Sequence, residues 1–186
     1  MPGVVVAVVV VLAGVATWWF ATVHPGTHLG ASSLTTTCTV RVDDGSGDVV
    51  RGGITLEAPA DAEVLAVRLR DAENLVLEEA RVAPETGPNA QGEFVAPGLE
   101  RKWPIPDPES YTMDWSRDRP LVGARLEAGV TEVPYLHLRI VDTEQPARMS
   151  GWEVEYRVYA TRWSTAYATG LEYLPVDSAD ECFAEE

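Results

Sequence analysis

Trp152-Glu153-Val154-Glu155-Tyr156-Arg157-Val158 alternates a large apolar residue with a charged one, and Ala160 and Thr161 continue the two series. Successive side chains of a strand point to opposite faces, so this stretch predicts a strand with one face in a core and one in water. Its Trp, Tyr and Val residues suit a pleated, half-buried surface. Just upstream, Leu136, Leu138 and Ile140 form a second such stripe, which places His137 on the less buried face. Downstream, Ser164-Thr165 reads as a hairpin junction leading into residues 166–174.

The same period recurs toward the N-terminus. Leu65-Ala66-Val67-Arg68-Leu69-Arg70 and Leu75-Val76-Leu77-Glu78 alternate, with Asp71 to Asn74 as the turn between them. Residues 61–82 are also rich in helix formers, and Asp61 could cap a helix; the strict alternation in each half favours two strands. Gly53-Ile54-Thr55-Leu56-Glu57-Ala58 and Thr39-Val40-Arg41-Val42 repeat the pattern, separated by the turn-rich Asp43-Asp44-Gly45-Ser46-Gly47-Asp48. Many short strands, punctuated by turns and without a convincing helix, predict a mainly β domain over residues 38–186. The architecture they suggest is a β-sandwich of immunoglobulin-like type.

One stretch breaks the pattern. Residues 84–120 hold Pro84, Pro88, Pro97, Pro104, Pro106, Pro108 and Pro120, out of 13 prolines in the chain, and read as a long Pro-rich loop. Within it Arg101, Lys102, Trp103, Tyr111, Trp115, Arg117 and Arg119 gather aromatics and cations in an otherwise acidic protein. Trp, Tyr and Arg anchor protein interfaces through large contact area and planar hydrogen bonding, so these residues form the candidate binding site. Prolines would hold such a loop in shape at low entropic cost. The competing reading is that Trp103 and Trp115 cover an open end of the sandwich.

Residues 4–23 carry no ionisable side chain. At about 1.5 Å per residue the run spans ~30 Å, the thickness of a bilayer's hydrocarbon core, and predicts one transmembrane helix. Trp18, Trp19 and Phe20 crowd its end, where aromatic rings favour the headgroup zone, and Pro25-Gly26 stops it. A cleaved signal peptide is the alternative, but no Lys or Arg precedes Arg41 and the apolar core is long, so a signal anchor is the expectation. Residues 1–3 are a short N-terminus and residues 24–37, rich in Gly, Ser and Thr, a tether. No Lys or Arg flanks the run, so charge does not set its orientation.

Cys38 and Cys182 bracket the polar chain almost end to end. Such a pair suits a disulfide in an oxidising compartment, with two free cytosolic thiols as the alternative. The expectation is therefore a single-pass protein of the cell membrane with its C-terminal domain outside the cytoplasm. The bilayer would be its partner through residues 4–23, and a protein at the membrane its partner through the loop.

Three segments carry a family likeness: Val67-Arg68-Leu69-Arg70-Asp71-Ala72-Glu73-Asn74-Leu75, Leu121-Val122-Gly123-Ala124-Arg125-Leu126-Glu127-Ala128-Gly129 and Val154-Glu155-Tyr156-Arg157-Val158. On these the chain resembles the small membrane-anchored, extracytoplasmic proteins of unknown function common in actinobacteria. The resemblance implies a fold and a location, with no activity to carry over.

Composition narrows the function classes. With 14 basic and 29 acidic residues the formal charge is −15, which argues against binding a nucleic-acid phosphate backbone. Calcium could be sought at residues 43–48, but the spacing and terminal Glu of an EF-hand are missing. Copper could be sought among His24, His28, His137, Met113 and Met149, whose spacing forms no chelating pattern. An extracytoplasmic copper- or calcium-binding protein is thus the alternative function, with no metal ligands assigned. Gly-x-Ser-x-Gly is absent from the sequence, and with this many carboxylates any glycosidase-like pair can be drawn. The leading expectation is a binding or accessory protein, not an enzyme, without a cofactor.

Overall fold

The computed structural model describes residues 23–25, 29, 37–40, 47–52, 54–88, 95, 99–100, 104–105 and 108–175. Over these the protein is mainly β. In chain order the strands are β1 (Val23–Pro25), β2 (Thr37–Val40), β3 (Asp48–Arg51), β4 (Leu56–Glu57), β5 (Ala62–Arg70), β6 (Leu75–Pro84) and β7 (Leu99–Glu100). They continue with β8 (Arg119–Pro120), β9 (Arg125–Leu126), β10 (Thr131–Ile140), β11 (Ala147–Met149), β12 (Gly151–Val158), β13 (Thr161–Tyr167) and β14 (Leu171–Leu174). Among the described residues no helix is long and apolar enough to cross a membrane. The transmembrane helix expected over residues 4–23 lies outside them except for Val23, which is extended.

Three sheets form. One has the order β1-β13-β12-β5-β9, and a second the order β7-β3-β10-β6-β8 with β4 also on β10. The third is β11-β14-β2. The strand expected around Tyr156 is β12, paired antiparallel with β13 on one side and β5 on the other. The strands expected on either side of Asp71 to Asn74 are β5 and β6, but they enter different sheets instead of pairing with each other. Asp71 and Asn74 take left-handed φ values of 48° and 55°, which Asp and Asn tolerate. The Asn74 amide then donates to the carbonyls of Asp142, Gln145 and Pro146 at 2.6–3.2 Å, holding the following loop against this corner.

One hydrophobic core is filled from both larger sheets. Val64 (β5), Trp152, Val154 and Tyr156 (β12) meet Val49 (β3), Val82 (β6), Leu136, Leu138 and Ile140 (β10). Leu171 and Tyr173 of β14 join the same core, which brings the third sheet against the other two. Where β12 starts, Gly151 is required: a Cβ there would lie 2.0 Å from the Tyr167 carbonyl oxygen.

Several expectations are corrected. Ser164 and Thr165 lie inside β13, and the turn is at Tyr159-Ala160, where Tyr159 has φ 54°. Ala160 therefore belongs to the turn and not to the apolar face. The strand expected over residues 53–58 shortens to β4, and β3 arises at Asp48, within the expected turn. Val23–Pro25 pair with β13, and Leu29 is buried in the main core, so the stretch read as a tether is held against the domain at these residues. Cys38 lies on β2 opposite Glu172, while Cys182, and with it the expected disulfide, falls outside the described residues.

Candidate functional site

Ile105 and residues 111–115 of the Pro-rich segment lie on the outer face of the second sheet, where they make a second hydrophobic cluster. Val50, Ala83, Val133 and Tyr135 of that face pack with Ile105 and Met113, and Tyr111 and Trp115 lie against them half-buried. Strand β10 is consequently buried on both faces from Glu132 to Leu136. Trp115 therefore covers a sheet face and not an open end of the sandwich, while Trp103 lies outside the described residues.

Backbone pairing fixes the segment. Thr86 N–H donates to Thr112 O at 3.0 Å and Asp114 N–H to Pro84 O at 2.8 Å, so residues 112–114 run beside the end of β6. Thr112 also joins Val95, its N–H donating to Val95 O at 2.8 Å. A single 3-10 turn, Trp115–Arg117, follows and is capped by Asp114, whose carboxylate accepts from Ser116 N and Oγ. Strand β8 then pairs with Arg81 and Val82.

The side chains extend this order. Trp115 packs on Tyr135 with ring centroids 5.7 Å apart, and Tyr111 on Trp115 at 6.3 Å. The Tyr135 hydroxyl donates to Asp118 Oδ1 at 2.8 Å, and Arg81 Nε donates to Asp118 Oδ2 at 2.8 Å. Arg81 also holds Glu79. Burial first, then the Asp118 carboxylate, pushes the Tyr135 phenol well above its ordinary pKa; Asp118 does the same for Arg81, against a smaller opposing effect of burial.

The seven predicted site residues separate. Arg101, Lys102 and Trp103 lie outside the described residues. Tyr111, Trp115, Arg117 and Arg119 come together along one short path. Arg119 donates to Glu132 Oε1 at 2.6 Å, an acid that is only 1% exposed, so this cation is committed to the fold. Arg117 is the outward one: its side chain is 51% exposed and its ion pair with Glu127 is 3.9 Å long. Asp118, Tyr135 and Arg81 escaped the sequence reading, although an Asp between two arginines was a visible signal.

The metal candidates disperse. Met113 is buried in the second cluster and Met149 in the main core. His137 Nε2 lies 2.9 Å from Asp48 Oδ1, and the His24 ring packs at 5.6 Å on Trp163. Among the described residues no three His, Cys, Asp or Glu side chains are placed to hold one ion. His28 and residues 43–46 lie outside them. No protein-family model matches this chain, and no curated protein matches it.

Proposed function

We propose that the chain is a single-pass membrane protein whose extracytoplasmic, immunoglobulin-like β-sandwich serves as a binding or accessory subunit. Its protein partner docks on the surface made by Tyr111, Trp115 and Arg117. The observation that carries this reading is the buttress beneath that surface: Trp115 on Tyr135, Tyr135 on Asp118, and Asp118 on Arg81. An aromatic held in place before binding loses little conformational freedom on binding, which favours Trp115 as an interface anchor, and Arg117 adds an exposed guanidinium beside it.

The sandwich architecture is supported by the single core shared between the inner faces of the two larger sheets. The apolar run of residues 4–23 supports the anchor. Cys38 lies on the strand beside β14, shortly before Cys182, which suits a disulfide outside the cytoplasm. The likeness to small anchored actinobacterial proteins belongs to the same reading.

The test is affinity co-purification of the tagged full chain from its native membranes after mild cross-linking, with Arg117→Glu beside it. Arg117 is exposed, so the variant keeps its fold. One abundant partner in the wild-type lane, recovered about tenfold less in the variant, is the expected result for an interface anchor. Equal recovery in both lanes, or no partner in either, contradicts the proposal.

A further inference from the structure

Strand β1 begins at Val23, the last residue of the apolar run, and pairs parallel with β13: Val23 opposite Arg162, His24 opposite Trp163, Pro25 opposite Ser164. That register fixes a polarity. If residues 4–23 anchor the chain, β1 leads away from the bilayer, and so does β13 from Arg162 to Ser164. Whatever precedes Arg162 lies on the bilayer side. Strand β12 runs antiparallel to β13 and delivers Val158 to the same end. The Tyr159-Ala160 turn therefore points at the membrane. Val158 is level with Thr161, so Tyr159 lies about two strand rises beyond Arg162, ~6–7 Å closer to the bilayer than the level of Val23.

Two features of this end agree with that placement. Tyr159 is 89% exposed, more than any other large hydrophobic side chain among the described residues, and it holds φ 54°. The first position of a tight hairpin turn with positive φ ordinarily goes to Gly or Asn, so a tyrosine there is costly for the turn itself. A Tyr ring, apolar in body and polar at its tip, suits the headgroup layer. The charges next to Tyr159 offset each other in two ion pairs, Asp61 with Arg125 at 2.7 Å and Glu63 with Arg157.

We infer that the Tyr159-Ala160 hairpin tip is a second membrane contact, seated in the lipid headgroup layer beside the point where the chain leaves the bilayer. The inference rests on the proposed anchor and adds an orientation to it: the Asp71–Asn74 corner, with exposed Val141 beside it, faces away from the membrane.

The experiment places a benzophenone photo-crosslinking amino acid at position 159, or at 141 as the control, in the full chain. The protein is reconstituted in vesicles of phosphatidylcholine and phosphatidylglycerol, floated on a gradient, irradiated and analysed for lipid adducts. Both positions are exposed, so neither label disturbs the core. The expected result is co-flotation of both proteins, with at least about fivefold more lipid adduct at 159 than at 141. Co-flotation with equal adducts, or with more at 141, overturns the tip contact and leaves the anchor standing. Failure to float overturns the anchor, and the tip contact falls with it.

Discussion

Glu155 shows how one carboxylate can be buried in a surface-facing position. The pleat places it opposite the core residues Val154 and Tyr156, yet it is 4% exposed. Arg162 Nε donates to it at 2.8 Å from β13, and Arg68 Nη1 at 3.3 Å from β5. Burial pushes its pKa up, but the two guanidiniums outweigh that and hold it below the ordinary carboxylate range. A lowered folded-state pKa gives stability that is present above the unfolded value of about 4.3 and lost as pH falls through the folded one. Glu155→Gln should therefore be less stable than wild type by about 1 kcal/mol at pH 7, with the difference closing toward pH 3. Urea unfolding at the two pH values checks this, and an undiminished gap at pH 3 would refute it. The alternation of the sequence put Glu155 on the correct face. That it is covered depends on arginines from two other strands, which no local period reveals.

At the scale of elements, the 111–119 segment and β10 stabilise each other. Trp115 is half-buried on Tyr135, so Trp115→Ala should cost about 2–3 kcal/mol, less than for a fully buried indole. The loss should be local: in hydrogen exchange the amides of residues 112–118 lose protection while those of β12 keep theirs. Uniform deprotection of both would mean that the second cluster is part of the global core. Strands β5, β6, β10 and β12 were legible because each keeps a period of two over most of its length. Strand β3 was not, since it begins at an Asp inside a turn-rich stretch. The β12–β13 turn was misplaced because Tyr159 holds a left-handed conformation without the Gly or Asn that would mark it. The Pro-rich segment has no period, and its structure comes from contacts with the sheet beneath it.

For the whole molecule, the sequence carried the fold class but not the strand pairing. Strands β5 and β6 are neighbours in the chain and belong to different sheets, a choice made by long-range packing. The candidate residues were legible as a cluster of residue types, and Arg117 is exposed among those described. Arg119 is instead held by Glu132, an acid on another strand that no local pattern reveals. On the proposed reading this domain lies outside the cytoplasm, held at the membrane with its binding loop accessible. Lys102 is the one lysine in the chain, and it lies in that loop. The decisive measurement treats intact cells with a membrane-impermeant amine reagent and quantifies modification of the Lys102 peptide before and after permeabilisation. Modification already in sealed cells, with no large increase on permeabilisation, is the expected result. Modification that begins only once the membrane is opened would contradict it.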